Sequence, residues 1–338
     1  MNGTEITDLK KILASPKKVV IIPHKNPDGD AIGSTLGLYH YLKEYKHDVC
    51  VITPNDYPEF LKWMPGENAI IKFDTQTDRA KQCIANAELI FTLDFNSFSR
   101  VDDMGPFLEK SNATFVMIDH HQQPDNYAKF MYSDTSMSST CEMVYHFINF
   151  FDDNNKITAD IANCLYAGIM TDTGSFRFPS TTSTTHRVIA DLIDKGAKNA
   201  NIHQEVFDTQ SLSRLHLLGC ALKNLVMLKE YHTVYITLTK EELQSFNYKK
   251  GDTEGFVNYG LSLKGIKFAA IFIENQSDDY IKISFRSKGD FSVNEFARAH
   301  YDGGGHNNAA GGRSDDNMED TTKKFVTILD QYKALLQS

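Results

Sequence analysis

Four apolar stretches in the first half of this chain each run directly into acidic, imidazole or hydroxyl side chains, and this repetition restricts the fold more than any other feature. Residues 19–23 read Val-Val-Ile-Ile-Pro and lead to His24, Asp28 and Asp30; residues 87–93 lead to Asp94; residues 113–118 lead to Asp119, His120 and His121. The fourth stretch is helical, over 161–170, and runs into Thr171-Asp172-Thr173-Gly174. Short β-rich runs alternating with helical patterns predict an α/β domain built on a doubly wound parallel sheet. In such a sheet the carboxyl ends of the strands share one edge, and ligands collect in the crevice there. The polar endings are therefore expected to converge, although they are far apart along the chain. Singly they have ordinary explanations: Asp28-Gly29 is a turn signal and Asp94 could cap a helix. Four together do not.

The chemistry of the first ending is specific. Two carboxylates as close as Asp28 and Asp30 resist joint ionisation unless a cation lies between them, and the neutral imidazole of His24 beside them is a common metal ligand. The net charge of −9 argues against an electrostatic grip on a long nucleic-acid backbone. Small anions remain acceptable where bound cations supply positive charge locally. No apolar run approaches the ~18–20 residues needed to span a bilayer, and residues 1–18 are too polar for a signal peptide, so a cytoplasmic protein without a membrane partner is expected. Cys50, Cys83, Cys141, Cys164 and Cys220 form no Cys-x-x-Cys pair and are read as reduced, structural thiols.

Residues 1–195 are read as the catalytic domain, 196–230 as a helical linker and 231–338 as a smaller α/β domain with a mixed sheet. The clearest strands of the first domain are 19–23, 49–53, 89–94 and 115–119; Ile32, Leu36, Tyr39 and Leu42 mark one buried face of a helix over 31–45, whose start Gly29 and Gly33 allow to lie close to the strand end. Ser139-Thr140-Cys141-Glu142 fits a capping box opening a helix over 143–151, so residues 138–142 are read as structural. The linker carries a leucine stripe, Leu212, Leu215, Leu218, Leu222 and Leu225, that suits core or interdomain packing. In the last domain Val234, Ile236 and Leu238 mark one strand and Ile281, Ile283 and Phe285 another, with a turn at 276–279. Ser292 caps a short helix to His300, and residues 301–313 then place five glycines and two alanines around His306. Such small residues let backbone amides approach a ligand, and Arg286 could complement a phosphate with its guanidinium fork. Glycine content alone would favour a flexible loop, against which stand the two alanines and Arg286.

Together these residues resemble the DHH phosphoesterase family, whose naming motif stands here as Asp119-His120-His121. The similarity covers nearly the whole chain: residues 24–34, Asp94 with Arg100, residues 168–178, and the Gly303-Gly304-Gly305-His306 stretch with its following Ala309-Ala310-Gly311-Gly312, which is similar to the signature of the DHH-associated C-terminal domain. Two such domains and little else resemble the stand-alone nanoRNases. These degrade very short oligoribonucleotides to nucleoside 5'-monophosphates and often dephosphorylate 3'-phosphoadenosine-5'-phosphate. Exonucleases of the RecJ kind carry a further nucleic-acid-binding domain, family II pyrophosphatases a basic motif in the second domain, and membrane-bound cyclic-dinucleotide phosphodiesterases additional membrane segments. The alternatives kept are an exopolyphosphatase or pyrophosphatase, a linear or cyclic dinucleotide phosphodiesterase, and a nucleotide-binding regulatory module.

The resemblance implies two divalent ions, one held by His24, Asp28 and Asp94 and the other by Asp30, Asp94, His120 and Asp172, with Asp94 bridging. It implies Mn²⁺; oxygen and imidazole ligands without thiolate suit Mn²⁺ or Mg²⁺, with Co²⁺ a further option. Asp119 is expected to fix the tautomer of His120 from behind, and His121 to donate to a phosphoryl oxygen. Arg286 and His306, with the amides of Gly304 and Gly305, are expected to hold a phosphate or nucleotide remote from the reacting bond, making the gap between domains a ruler for short RNA. The apolar stripes of the first domain suit either a core or a homodimer face.

Overall fold

The computed structural model describes residues 1–275 and 279–337. Of the turn expected at 276–279, Gln276, Ser277 and Asp278 lie outside the described residues. The chain divides into two units, Met1–Thr209 and Gln210–Ser338.

Unit 1 is built on six strands: β1 (Lys18–Pro23), β2 (Asp48–Thr53), β3 (Ile70–Lys72), β4 (Leu89–Leu93), β5 (Thr114–Asp119) and β6 (Phe130–Ser133). Their order is β3-β2-β1-β4-β5-β6 and every pairing is parallel. β3 and β6 escape a sequence reading because three or four residues are too few to show a period. Along β1 the side chains alternate between two cores, Val19 and Ile21 on one face and Val20 and Ile22 on the other, as the period of two requires. Both faces are covered, which is why the central strands are apolar throughout.

The helices of this unit are α1 (Gly3–Leu13), α2 (Gly29–Glu44), α3 (Thr77–Asn86), α4 (Gly105–Glu109), α5 (Thr140–Phe150), α6 (Ala159–Asp172), α7 (Ser183–Asp194) and α8 (Asn199–Phe207). α2 starts earlier than its apolar spacing suggests because Asp28 caps it, accepting from the amides of Asp30 and Ala31. The role of Gly33 also differs from expectation: a Cβ there would lie 2.5 Å from the Cys164 carbonyl oxygen, so this glycine lets α2 press against α6, a helix rather than a strand. The strand order reverses between β1 and β4. That switch point opens the crevice in which ligands bind in sheets of this class, and the residues directly after these two strands are His24 and Asp94.

The residues read as a linker are shared between the units. α8 buries Ile202 and Val206 in the core of unit 1, whereas α9 (Leu212–Lys223) packs Leu217 and Ala221 into unit 2. Of the leucine stripe, Leu218 and Leu225 pack against the core of that unit, whereas Leu212, Leu215 and Leu222 are exposed. The sheet of unit 2 contains β7 (Val226–Leu228), β8 (Thr233–Leu238), β9 (Phe268–Glu274), β10 (Ile281–Ser287), β11 (Gly304–His306) and β12 (Ala309–Ser314), in the order β11-β12-β10-β9-β8-β7. It is mixed: β8 and β9 run parallel, and the other neighbours antiparallel. α10 (Lys240–Ser245), α11 (Phe256–Leu261), α12 (Val293–His300), α13 (Met318–Leu329) and α14 (Lys333–Gln337) complete it, around a core that includes Phe268, Phe272, Phe285, Phe296 and Phe325. Among the described residues no helix is long and apolar enough to cross a membrane.

Candidate active site

The carboxyl edge of the unit 1 sheet carries the cluster. His24 leaves β1 buried, and its Nδ1 lies 2.7 Å from the Lys25 carbonyl oxygen. A carbonyl can only accept, so Nδ1 holds the proton and the Nε2 lone pair points the other way. It faces Asp94 Oδ2 at 3.3 Å and Asp28 Oδ2 at 3.8 Å. His120 repeats the arrangement after β5: Nδ1 donates to the Met137 carbonyl at 3.2 Å, and Nε2 faces Asp94 Oδ1 at 3.5 Å, Asp172 Oδ2 at 3.6 Å and Asp30 Oδ2 at 3.8 Å. Two imidazole lone pairs are thus aimed at carboxylate lone pairs. That is repulsive unless a proton or a metal ion stands between them.

The backbone is shaped for this. Asp94 adopts φ 63°, a left-handed conformation that Asp tolerates better than most residues at a cost of roughly 1 kcal/mol. Asp30, in the first turn of α2 and 1% exposed, accepts from the amides of Thr140 at 2.7 Å and Cys141 at 2.8 Å. These belong to the N-terminus of α5, whose dipole favours a negative charge. Asp172 is the last residue of α6 and half-buried, and Asp28 is the most exposed of the set.

Protonation follows the same geometry. Burial, reinforced by the Asp94 and Asp172 charges, holds the Asp30 carboxyl well above the ordinary carboxylate range. For Asp94 burial works in the same direction, but hydrogen bonding by His120 and His24 outweighs it and holds that carboxyl well below the range. Burial opposes protonation of His24 and His120, yet the Asp94 carboxylate prevails and both are raised. The cluster by itself therefore keeps protons where a cation would otherwise sit. His24, Asp28 and Asp94 offer ligand atoms within 4.8 Å of one another, and so do Asp30, His120 and Asp172. Oxygen and imidazole donors, with both Nδ1 protons held by carbonyls, fit divalent cations.

One expected role changes. Asp119 does not fix His120: its Oδ1 accepts from His121 Nδ1 at 2.7 Å and its Oδ2 from the His121 amide at 3.0 Å. Being fully buried at the end of β5, it reaches the residue two positions on, since the chain turns back on itself there. His121 with its proton on Nδ1 carries a lone pair on Nε2, so the neutral ring accepts at that atom and donates from it only once it is protonated. Burial lowers its proton affinity, with the Arg100 charge contributing, although the bond to Asp119 opposes this.

Sequence reasoning missed Thr140. Its hydroxyl donates to Asp94 Oδ1 at 2.9 Å while its amide serves Asp30. The capping pattern at Ser139 absorbed the signal, and only half of that box is present: Ser139 accepts from the Glu142 amide, but the Glu142 carboxylate accepts instead from Ser138 and Thr185.

In unit 2 the glycine-rich stretch is a β-hairpin and not a flexible loop. β11 and β12 pair Gly304 with Gly311 and His306 with Ala309. A Cβ at Gly303 would lie 2.0 Å from the Gly311 carbonyl oxygen, so strand approach explains the glycine. The Gly305 amide donates to Asn294 Oδ1 at 3.0 Å, which takes it out of the expected phosphate-binding role. Arg298 Nε donates to the same oxygen at 3.2 Å. Arg286, on β10, directs Nη1 to the Phe285 carbonyl at 3.0 Å, and His306 ends β11 half-buried. Asn294 gave no sequence signal, because an asparagine in the first turn of a helix is ordinary.

Residues 18–169 match the DHH family, N-terminal domain, and residues 230–335 match the DHHA1 domain. The bifunctional oligoribonuclease and PAP phosphatase NrnA of Bacillus subtilis is 30% identical over 304 residues, covering 89% of this chain and 90% of that protein. The protein of the same description from Thermus thermophilus is 30% identical over 301 residues, covering 89% and 85%. The crystal structure of an exopolyphosphatase-related protein from Bacteroides fragilis is similar at a TM-score of 0.95 and 41% identity, covering 100% of this chain and 98% of that one.

Proposed function

Since this chain belongs to the DHH family of divalent-metal-dependent phosphoester hydrolases, we propose that it removes nucleoside 5'-monophosphates from very short oligoribonucleotides and also dephosphorylates 3'-phosphoadenosine-5'-phosphate. One observation carries the reading: the Nε2 lone pairs of His24 and His120 converge on the carboxylates of Asp30, Asp94 and Asp172 at the switch point of a parallel sheet. Relatives similar over nine-tenths of their length and described as oligoribonucleases supply the substrate class.

In this proposal His24, Asp28 and Asp94 hold one cation, and Asp30, Asp94, His120 and Asp172 hold the second. Mn²⁺ is the proposed ion; Mg²⁺ and Co²⁺ suit the same donors. Cys141 lies beside Asp30, but burial holds its thiol well above the ordinary range, so no soft thiolate joins the set. Held by these residues, two such cations would supply positive charge to the phosphoryl oxygens and lower the pKa of water. The residues of the chain then orient and move protons. Asp119 holds His121 with Nε2 as the acceptor; that atom takes a proton released by attacking water and returns it to the departing 3'-oxygen, with Asp119 stabilising the imidazolium in between. Arg286 and His306 bind a phosphate or base away from the reacting bond, where binding energy is used for positioning.

The test is hydrolysis of 5'-labelled diadenylate, of 3'-phosphoadenosine-5'-phosphate and of pyrophosphate with Mn²⁺. Adenosine monophosphate is expected from the first two, and turnover of pyrophosphate alone overturns the reading. Arg286→Ala is expected to raise KM for diadenylate about tenfold or more while kcat changes less.

A further inference from the structure

One pair of nucleophilic side chains lies outside this chemistry. Cys50 sits in the middle of β2 and Cys83 in the second half of α3, 33 positions later, and their Sγ atoms are 2.7 Å apart. Both are half-buried free thiols on the face of the sheet that α3 covers. Solvent reaches them: a cleft of about 250 Å³ is lined by both cysteines together with Lys18, Asp48, Arg79 and Asn86. A disulfide forms only where the side chains of two cysteines already point at each other across adjacent elements. Here the two sulfurs already meet across β2 and α3.

We propose that Cys50 and Cys83 form an oxidisable dithiol site, which a peroxide closes into a disulfide tying α3 to β2. Burial and the adjoining Cys83 sulfur push the Cys50 thiol up to about 12, so attack on a peroxide is slow there and the closure needs an added oxidant. One sulfur attacks a peroxide oxygen, breaking the O–O bond to give a sulfenic acid and, with its thiol proton, one water. The second sulfur then attacks the sulfenyl sulfur, the S–S bond forms, and hydroxide leaves with the remaining thiol proton as a second water. Two thiols are oxidised and one hydrogen peroxide is reduced. The bond closes a loop through β3 and stiffens one layer of unit 1.

The experiment treats the full-length protein with hydrogen peroxide, removes the excess, and counts thiols under denaturing conditions. Five are expected before and three after, with a mapped peptide joining Cys50 to Cys83 that a reductant separates. The melting temperature should rise on the order of 5–10 °C, as expected for a loop of this length, and diadenylate hydrolysis should stay within about twofold. Cys50→Ser and Cys83→Ser should each lose no further thiols and show no rise. Survival of all five thiols, oxidation to sulfinic or sulfonic acid without a link, a link through Cys141, Cys164 or Cys220, an unchanged or lower melting temperature, or loss of hydrolysis overturns the proposal. Should either variant fail to fold, the peptide map of the unaltered protein decides.

Discussion

Asp119 commits both carboxylate oxygens to one neighbour, the ring and the amide of His121. A fully buried carboxylate used in this way fixes a tautomer and a ring plane at once. Asp119→Asn keeps the shape but places an N–H₂ where one of two donors was accepted, so the ring must turn or exchange its proton. The expected outcome is a fall in kcat for diadenylate of about 10²–10⁴ with metal affinity nearly unchanged. Steady-state kinetics beside Mn²⁺ titration calorimetry measures both. If Asp119 acts through His121, adding Asp119→Asn to His121→Gln costs little more, because residues working as one unit are not additive. A normal kcat in Asp119→Asn would remove His121 from proton transfer. The motif makes these three residues visible in the sequence, but not which histidine the aspartate serves. That depends on the direction the chain takes after β5, and a hydrogen bond is settled within tenths of an ångström.

At the scale of elements, the N-terminus of α5 is the device that holds the acids. It offers Asp30 two amides and Asp94 one hydroxyl, all through Thr140 and Cys141. Thr140→Val removes the hydroxyl and little volume. Outer partners of metal ligands are typically worth 10–100-fold in affinity, so Mn²⁺ binding by Thr140→Val should weaken by about that factor. Thr140→Ser should restore most of it, and both proteins should melt within about 2 °C of the parent. Calorimetric titration and a thermal scan check this. Equal losses in the valine and serine variants would assign Thr140 to packing alone. This role was hidden by a local pattern that was itself real: Ser139 does cap the helix. A capping motif reports that a helix begins. It does not report what lies in front of the helix, because that element is more than a hundred positions away in sequence. In the second unit the same limit turned a hairpin into an expected loop, since close strand approach and ligand approach both require glycine.

For the whole molecule, the cluster links metal binding to stability. Apposed acids and imidazoles that must share protons when alone are stabilised by anything that binds only the folded arrangement. At a free Mn²⁺ concentration about 100 times Kd, the folded state gains about 2.7 kcal/mol, which raises the melting transition of the first unit by roughly 5–10 °C over the chelated protein. Scanning calorimetry with Mn²⁺ and with chelator measures this, and Asp94→Asn should abolish the increment. A chelator-insensitive transition would contradict cation binding at the cluster. The sequence by itself determined the α/β class, the central strands and the convergence of their polar endings, because periodicity and apolar runs report which side of an element is buried wherever that element sits. Only the tertiary structure decided which acid serves which imidazole, that α5 supplies the donors, that the second unit closes its glycines into a hairpin, and that two cysteines meet between β2 and α3. Those are contacts between positions remote in the chain, and local pattern carries no information about distance in space.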